Sequence, residues 1–352
     1  MSADALLSAV RRLAFGESLS ADQSADAFAL IMSGEATAAQ VAALLMALRV
    51  KGETAEEVAG AARALRAAMV SIDADERETL VDTCGTGGGT VTTFNISTAA
   101  ALLAAGAGVR IAKHGNRSFT SRSGSADVLE ALGIPLDATA TVMGDVLRRA
   151  GVVFMFAPTL HPAMRHVGPV RRELGIPTVM NIVGPLANPA GAGRQVVGVA
   201  DRNRMPLLAG ALASLGSVHA LIVHGEPGMD EVSPIGVTHV AEVRDGTIAE
   251  WMIDPRELGF DGLSADDLSG GDPVANARII ETVLSGEGSA GARAAVLLNA
   301  AAALYVSGLV ETLGDAVAKS REALDSGARR RALERLRGAY QASAASDDSK
   351  KQ

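Results

Sequence analysis

The chain has 352 residues, a formal net charge of −8 and a single cysteine, and 48% of its residues are hydrophobic. Its length suggests two or three domains, or one large α/β body with an attachment, and its composition excludes a disordered chain or a coiled coil. The negative charge disfavours a general nucleic-acid-binding protein, and one cysteine excludes an intrachain disulfide or a multi-cysteine metal site. Without a signal-peptide pattern or an apolar run of about 20 residues, we expect a cytoplasmic protein.

The first seventy residues predict helices only. Three capping boxes follow one another at Ser20–Gln23, Thr37–Gln40 and Thr54–Glu57. In each box the hydroxyl can accept a hydrogen bond from the amide three residues later, while the Gln or Glu reaches back. Apolar residues follow every box at helical spacing. Together with the opening segment 5–13, this pattern predicts four short helices in a compact helical subdomain rather than a sequence repeat.

From residue 79 onward, strands alternate with helices. Buried strands are predicted at 79–82, 109–112, 152–156, 195–199 and 220–223, with helices between them that include 97–105 and 125–132. This alternation indicates a mainly parallel sheet with crossover helices. The segment 237–251 differs, because Asp245-Gly246 predicts a hairpin turn between two extended runs. Residues 273–342 are predicted to be mostly helical, and 343–352 to be disordered.

A glycine-rich segment, Gly85–Gly89, follows the first predicted strand, and Asn95–Thr98 opens the next helix. Glycines let backbone amides surround an anion, and a helix N-terminus adds positive potential. Taken alone, the segment is equally well explained as a flexible connection between a strand and a helix. It matches neither the dinucleotide-binding nor the P-loop pattern, so it does not indicate the usual nucleotide-binding folds.

A second segment, Lys113–Ser121, follows the next predicted strand. The surrounding stretch Arg110–Arg122 contains four basic residues and no acidic residue, together with several Ser, Asn and Gly donors. Ligands of open α/β sheets bind beyond the carboxyl ends of the strands. The mixture therefore favours a phosphorylated, polyanionic ligand over a solvated basic loop. His114 alone is more often a structural hydrogen-bonding residue than a catalytic one.

Asp230 and Glu231 are adjacent carboxylates after the strand that ends near His224, with no Lys or Arg close to them in sequence. Carboxylate oxygens suit Mg²⁺, which commonly takes one or two of them and completes its shell with water and substrate phosphates. An exposed acidic turn is the simpler interpretation when this motif is considered alone.

The last candidate segment, His161–Arg172, follows the strand predicted at 152–156. Arginine is suited to bidentate binding of a carboxylate, but Arg171 and Arg172 cannot both face one site. Together the four segments offer amide donors, cations, a carboxylate pair and a carboxylate-binding arginine, each where a strand ends. This set is typical of a site for a phosphate-rich, Mg²⁺-bound substrate and a second anion. No catalytic-triad, zinc-protease or nucleophile-elbow pattern is present.

The order of these segments resembles the anthranilate phosphoribosyltransferase family. The family's GTGGD loop corresponds to Gly85–Gly89, and its KHGNR motif is present at Lys113–Arg117. Six further family motifs occur in order, at Asn95–Thr98, Ser123–Gly133, His161–Met164, Val170–Gly175, Asn181–Pro189 and Gly228–Gly236. The resemblance extends from the first helices to about residue 342.

The resemblance implies a nucleoside-phosphorylase-like α/β fold, with a small helical domain and a large α/β domain that has a mainly parallel central sheet. The helical domain is expected at residues 1–72, with mid-chain helices at about 169–183 packed on it, and the donor-binding α/β domain at residues 73–342. The implied reaction transfers the 5-phosphoribosyl group of 5-phospho-α-D-ribose 1-diphosphate to the amine of anthranilate, in tryptophan biosynthesis. Diphosphate is the second product. Mg²⁺, with up to two ions, and a homodimer are implied as well.

By motif position, the resemblance implies that the phosphoribosyl donor contacts Gly85, Gly88, Gly89, Thr93, Asn95, Ile96, Ser97, Thr98, Lys113, His114, Gly115, Asn116, Arg117, Ser118, Phe119, Thr120, Ser121 and Ser125. It implies that anthranilate contacts Gly85, Asn116, Arg171, His161 and Met164, with its carboxylate on Arg171. The implied ligands of Mg²⁺ are Ser97, Asp230 and Glu231. The implied catalytic residues are Asn116, His114 and Arg171.

One position departs from the family pattern, because Gly89 stands where the family's glycine-rich loop ends in aspartate. We expect altered metal dependence with the reaction retained, since the Asp230–Glu231 pair is kept. A diverged paralogue with another acceptor is one alternative. Pyrimidine nucleoside phosphorylase, which shares the fold but lacks the KHGN and DE motifs, is a second. A nucleic-acid-binding paralogue is a third, which the net charge disfavours.

Overall fold

The N-terminal part of the chain forms four helices. The computed structural model describes residues 4–118 and 122–350. Its first helices are α1 (Asp4–Ala14), α2 (Ala21–Met32), α3 (Ala38–Lys51) and α4 (Ala55–Ala68). All three capping boxes are formed reciprocally, with the hydroxyls of Ser20, Thr37 and Thr54 accepting from the backbone three residues later. The prediction of four capped or short helices is confirmed.

Seven strands form one sheet in the described part of the chain, in the order β3-β2-β1-β4-β5-β6-β7. They are β1 (Val81–Gly85), β2 (Ile111–Gly115), β3 (Val152–Phe156), β4 (Arg194–Gly198), β5 (His219–Gly225), β6 (Thr238–Arg244) and β7 (Thr247–Ile253). The first five are parallel, while β6 and β7 are antiparallel and form the hairpin predicted at Asp245-Gly246. Because β1 lies between β2 and β4, a crevice at the carboxyl ends of these strands is the expected ligand site.

Two strands are placed later in the chain than the sequence predicts. A 3-10 turn occupies 77–79, so β1 begins at Val81. Val81 lies opposite Ile111 in the parallel pair with β2, and both strands extend to a glycine. As a result, Lys113 and His114 belong to strand β2 and not to the loop that follows it.

Eleven further helices are described after β1: α5 (Ile96–Gly106), α6 (Ser125–Ala131), α7 (Ala140–Ala150), α8 (Ala157–Leu160), α9 (Gly168–Leu174), α10 (Met180–Val183), α11 (Met205–Ser214), α12 (Pro273–Leu284), α13 (Ala290–Ser307), α14 (Leu313–Asp325) and α15 (Ala328–Lys350). The last of these corrects an expectation, because the chain is helical to Lys350 where the sequence predicts disorder from residue 343. Tyr340 is buried and donates a hydrogen bond to the Phe154 carbonyl of β3, and Ser343 is buried as well. This packing continues the helix past its predicted end.

Two apolar cores lie on opposite sides of the sheet. One joins β1, β2 and β3 to α5, α13 and α15. The other joins the N-terminal helices to α9, α10 and α11 and to one face of β4, β5 and β6. Val170 and Met180, from the mid-chain segment, are buried in the same core as Leu44 and Leu45. The division of the chain near residue 72 stays a prediction.

Among the described helices, α13 is long and apolar enough to cross a membrane by length and composition. However, 78% of it is buried inside the protein. Burial of this extent is typical of the core helix of a folded domain.

Candidate active site

Two loops interlock at the carboxyl edge of the sheet: the glycine-rich loop (85–89) after β1 and the acidic loop (226–233) between β5 and β6. The Gly87 N–H donates to Asp230 Oδ2 at 2.9 Å, and the Thr90 N–H donates to the Gly228 carbonyl at 2.9 Å. The end of β4 comes equally close, since a Cβ on Gly198 would overlap the Asp230 carbonyl oxygen. Only glycine allows this approach. The ends of three neighbouring strands therefore meet at Asp230.

Glu231 lies at the N-terminus of α5, where its Oε1 accepts a hydrogen bond from the Ser97 N–H at 3.3 Å. A helix N-terminus is a favourable place for negative charge. Even so, burial and the neighbouring charge of Asp230 raise the pKa of Glu231 to about 8. Burial also raises the pKa of Asp230. Two adjacent, half-buried carboxylates that resist ionisation in this way favour the binding of a cation between them.

No Lys or Arg is near this pair in sequence, yet the fold brings one to it. Lys113 is buried on β2, and its Nζ donates to the Thr83 carbonyl and to Ser97 Oγ, the latter at 3.2 Å. Its charge partly opposes the rise in the pKa of Glu231, while burial lowers the pKa of Lys113 itself. The ammonium group of Lys113 thus lies close enough to Glu231 to interact with its charge.

The three residues predicted to hold Mg²⁺ come together here, since Glu231 bonds to Ser97 and follows Asp230 directly. They offer oxygen ligands only, which suits a hard dication. No group of three or more His, Cys, Asp or Glu residues that could hold a metal ion occurs among the described residues. An ion at this position would therefore complete its coordination shell with water or substrate oxygens, as Mg²⁺ commonly does in proteins. On these grounds the residues fit the ion.

A pair of buried histidines marks the other end of the edge. The ring centroids of His114, on β2, and His161, after α8, are 5.0 Å apart. Burial lowers the pKa of His114 to about 3 and that of His161 to about 4, so both rings are neutral at pH 7. Within the described residues, His114 Nε2 is buried without a hydrogen-bond partner, whereas a hydrogen bond to the backbone of Ala187 partly opposes the fall in the pKa of His161. Because a buried polar atom without a partner is rare in folded proteins, His114 Nε2 indicates a place for a ligand.

Arg171 and Arg172, which the sequence does not separate, differ in the structure. Arg171 on α9 is half-buried, whereas Arg172 is exposed. Burial lowers the pKa of Arg171, and the guanidinium forms no hydrogen bond or ion pair within the described part of the chain. Met164 is half-buried in the turn just before α9. Of the two arginines, Arg171 has the surroundings of an anion-binding group.

Two cations of the segment predicted to bind a polyanionic ligand are paired with acidic residues of this chain. Arg117 pairs with Asp127 at 2.7 Å and with Glu130 at 2.9 Å, both from α6. Arg110 pairs with Glu76 at 2.8 Å. Acidic residues from other segments therefore neutralise two of the four cations, and a donor phosphate would compete with them for Arg117.

Comparison with known proteins decides the family. Residues 77–330 match the glycosyl transferase family α/β domain, and residues 7–69 match the helical bundle domain of that family. The anthranilate phosphoribosyltransferase of Anaeromyxobacter dehalogenans is 50% identical to this chain, over 93% of this chain and 96% of its own length. That of Symbiobacterium thermophilum is also 50% identical, over 93% of this chain and 96% of its own length. The chain belongs to the anthranilate phosphoribosyltransferase family.

Solved structures of anthranilate phosphoribosyltransferases have the same fold. The enzyme from Thermus thermophilus superposes with a TM-score of 0.89 at 41% identity, over 95% of this chain and 99% of that one. The Saccharomyces cerevisiae enzyme in complex with PRPP and Mg superposes with a TM-score of 0.87 at 31% identity, over 97% of this chain and 99% of that one. The predicted fold class is confirmed. As a member of this family, the chain is a glycosyltransferase that transfers the phosphoribosyl group to anthranilate in tryptophan biosynthesis.

The other residues implied by the family motifs are distributed along this edge. Ile96 and Thr98 are buried, and their backbone N–H groups already donate to the carbonyls of Phe94 and Asn95. The remaining described positions lie in the glycine-rich loop, before α5, or between β2 and α6: Gly85, Gly88, Gly89, Thr93, Asn95, Gly115, Asn116, Ser118 and Ser125. Phe119, Thr120 and Ser121 lie outside the described residues.

Several buried polar residues behind the site are absent from the predicted set. Asp82 on β1 accepts from the His114 N–H at 3.0 Å and from Asn188 Nδ2 at 2.7 Å, and burial raises its pKa to about 6. Asn276 on α12 donates to Asn95 Oδ1 at 2.9 Å. The only signal for such residues in the sequence is a polar side chain inside an apolar run, as at Asp82.

Proposed function

We propose that phosphoribosyl transfer takes place along a row of contacts at the carboxyl edge of the sheet. The row begins at Asp230 and Glu231 and continues by contact through Ser97 to Lys113. The next residue of β2 is His114, whose ring centroid is 5.0 Å from that of His161. This arrangement is the observation that carries the proposal. One end offers oxygen ligands, and the other offers uncharged nitrogens in a buried setting, as two different substrates require.

The donor end is proposed to hold Mg²⁺ on Ser97, Asp230 and Glu231, with up to two ions in all. When bound, Mg²⁺ supplies charge neutralisation to the departing diphosphate. The amides of Gly88 and Gly89 in the glycine-rich loop are suited to phosphate oxygens. We propose that the other donor-contacting positions implied by the family motifs bind the ribose and the 5-phosphate of the donor.

The acceptor end is proposed to bind anthranilate. Arg171 takes its carboxylate, because a half-buried guanidinium without a partner favours an anion. Neutral His114 and His161 can each donate one N–H and accept at the other nitrogen, but neither is protonated to imidazolium at pH 7, so neither can act as a general acid there. Since an aryl amine is uncharged at this pH, Asn116 and His114 would act by placing the amine against the anomeric carbon more than by taking its proton.

The enzyme is further proposed to be a cytoplasmic homodimer joined through its helical domain. Phe15 and Val50 are 85% and 80% exposed, respectively. Lys51 follows Val50, and Ser18 is three residues after Phe15. Lys51 Nζ lies 3.3 Å from Ser18 Oγ, so the two segments that carry these apolar side chains are in contact. An exposed apolar patch of this kind suits a second copy of the chain. Light scattering measures the molar mass of the wild-type protein and of the Phe15→Glu variant in solution. We expect a dimer for the wild type and a monomer for the variant.

The first experiment mixes the purified chain with anthranilate, phosphoribosyl diphosphate and Mg²⁺ and follows the loss of anthranilate fluorescence. Loss that needs all three components is expected. Release of free base from thymidine or uridine with phosphate would instead favour the nucleoside phosphorylase alternative. If a folded protein shows neither reaction over a wide Mg²⁺ range, the assignment of anthranilate as acceptor is wrong.

A further inference from the structure

A single amide interrupts the apolar core helix α13. Between Ala294 and Val306 the helix is aliphatic except for Asn299 and Tyr305. Asn299 is 3% exposed. Burying an amide in such a setting destabilises the protein unless its hydrogen bonds are made. Its presence therefore indicates a specific partner.

That partner is the main chain of the acidic loop. Asn299 Oδ1 accepts from the Val232 N–H at 2.9 Å, and its Nδ2 donates to the Val232 carbonyl at 2.9 Å. The other N–H of Asn299 Nδ2 donates a hydrogen bond to the Ala295 carbonyl at 2.9 Å. In the described part of the chain no backbone group pairs with Val232. The side chain of Asn299 thus pairs with both the N–H and the carbonyl of Val232, as the backbone of a neighbouring β-strand would.

Val232 directly follows Asp230 and Glu231, so fixing its main chain fixes theirs. On the other side of the loop, Gly198 of β4 abuts the Asp230 carbonyl. A cavity of only about 10 Å³ lies between Asn299, Glu231 and Ser97, which is room for about one water molecule. The loop is consequently held between β4 and α13 with little space to shift.

We infer that Asn299 is a positioning residue for the metal-binding carboxylates. The inference rests on the proposed function, because it takes Asp230 and Glu231 as ligands of Mg²⁺. Asn299 touches neither substrate nor ion and acts through the backbone of Val232. Residues that orient metal ligands in this way typically change metal affinity about 10- to 100-fold when they are replaced.

The test uses Asn299→Leu, which keeps a similar volume without hydrogen-bonding groups, in the full chain without substrates. Mn²⁺ is the probe, and its binding is followed by loss of the free-ion electron paramagnetic resonance signal. We expect Mn²⁺ to bind about 10- to 100-fold more weakly than to wild type. In turnover, the KM for anthranilate is expected to stay unchanged while the half-saturating Mg²⁺ concentration rises.

Two further variants separate the possible results. Leu298→Ala removes buried packing from the same helix, so it is expected to lower the thermal midpoint but to keep Mn²⁺ affinity. Asp230→Asn is expected to abolish the Mn²⁺ binding of the wild type. If Asp230→Asn binds Mn²⁺ as tightly as wild type, the proposed metal site is wrong, and the inference with it. If Asp230→Asn loses binding while Asn299→Leu matches Leu298→Ala, the metal site stands and the inference is overturned.

A variant closer to wild type covers the case in which Asn299→Leu does not fold. Asn299→Ser keeps one hydroxyl that can pair with Val232, so its Mn²⁺ affinity is expected to lie below that of wild type. Affinity equal to that of Leu298→Ala contradicts the inference in this variant too.

Discussion

The two ends of the proposed site satisfy their polar groups in opposite ways. At the donor end, Asp230, Glu231 and Lys113 each hydrogen-bond to another part of the protein. At the acceptor end, His114 Nε2 is buried without a partner among the described residues. The proposed donor end is therefore fixed by hydrogen bonds within the protein, whereas the proposed acceptor end keeps a buried polar atom able to pair with a ligand.

This difference indicates where each end draws its specificity. A buried polar atom without a partner costs about 1–3 kcal/mol, so His114 Nε2 is retained against stability. A substrate that pairs with it recovers that free energy on binding. At the donor end, loops already tied together cost little further ordering when phosphates arrive. Substitutions at the two ends should therefore affect different kinetic parameters.

The largest effect is expected for Asp230→Asn at the donor end. It removes a metal-binding charge and weakens the tie to Gly87, so we expect kcat/KM to fall about 100-fold or more. A rise in the half-saturating Mg²⁺ concentration should accompany the fall. Steady-state kinetics over a range of Mg²⁺ concentrations measures both.

The matched control for this prediction is Glu226→Gln in the same acidic loop. Glu226 is exposed and lies 3.6 Å from His239, and we expect its replacement to leave both parameters within about twofold of wild type. If the two variants lose activity to the same extent, general loss of negative charge and not metal binding explains the result.

At the acceptor end, Arg171→Leu is expected to raise the KM for anthranilate about 10- to 100-fold, the range of a lost charged hydrogen bond. The KM for phosphoribosyl diphosphate should change little. Arg172→Leu, next to it but exposed, is the control and should leave both constants unchanged. Equal effects of the two variants on both substrates would show that the ends are not separate.

Local patterns in the sequence predict much of the frame on which both ends are built. Each capping box involves residues three positions apart, so Ser20, Thr37 and Thr54 mark their helices from sequence alone. The β6–β7 hairpin follows from its Asp-Gly turn for the same reason. The candidate segments were also placed correctly near the ends of strands, because strand ends carry glycine and polar residues.

The contacts that give the site its chemistry join residues far apart in the chain. Asn276 and Asn95 are 181 positions apart, and Glu231 is 134 from Ser97. No local pattern predicts that Lys113 contacts Ser97 next to Glu231, or that Asp127 and Glu130 pair with Arg117. For that reason the sequence predicts a cationic phosphate-binding segment without showing that two of its cations are paired.

The acceptor histidines also predict a pH dependence of stability. An ordinary histidine has a pKa of about 6.5, whereas those of His114 and His161 are about 3 and 4. Between pH 6.5 and pH 4 each of these histidines therefore binds more protons in the unfolded chain than in the folded one, so its contribution to the free energy of unfolding falls as the pH falls. Glu231 and Asp82, with pKa values raised to about 8 and about 6, contribute with the opposite sign. The contribution is at most about 1.4 kcal/mol per pH unit for each histidine.

His161→Leu measures this contribution, because other buried groups titrate in the same window and only the difference in slope is diagnostic. Urea unfolding between pH 6.5 and pH 4 should give a smaller slope for the variant than for wild type. Leu160→Ala, a buried neighbour without a titratable group, should lower stability equally at every pH. A slope in His161→Leu equal to that of wild type contradicts the low pKa.

The smallest effect is expected for Gly89→Asp, which restores the aspartate of the family pattern. A Cβ on Gly89 would lie 3.2 Å from Asp230 Oδ1 and 3.1 Å from the Gly228 carbonyl, so the new carboxylate would stand beside the acidic loop. An added oxygen ligand and charge there should lower the half-saturating Mg²⁺ concentration by about threefold, with the reaction retained. Thr92→Asp adds the same charge at an exposed position and should not reproduce the shift. An unchanged Mg²⁺ profile in Gly89→Asp would show that the metal dependence of this donor end is set by Asp230 and Glu231 alone.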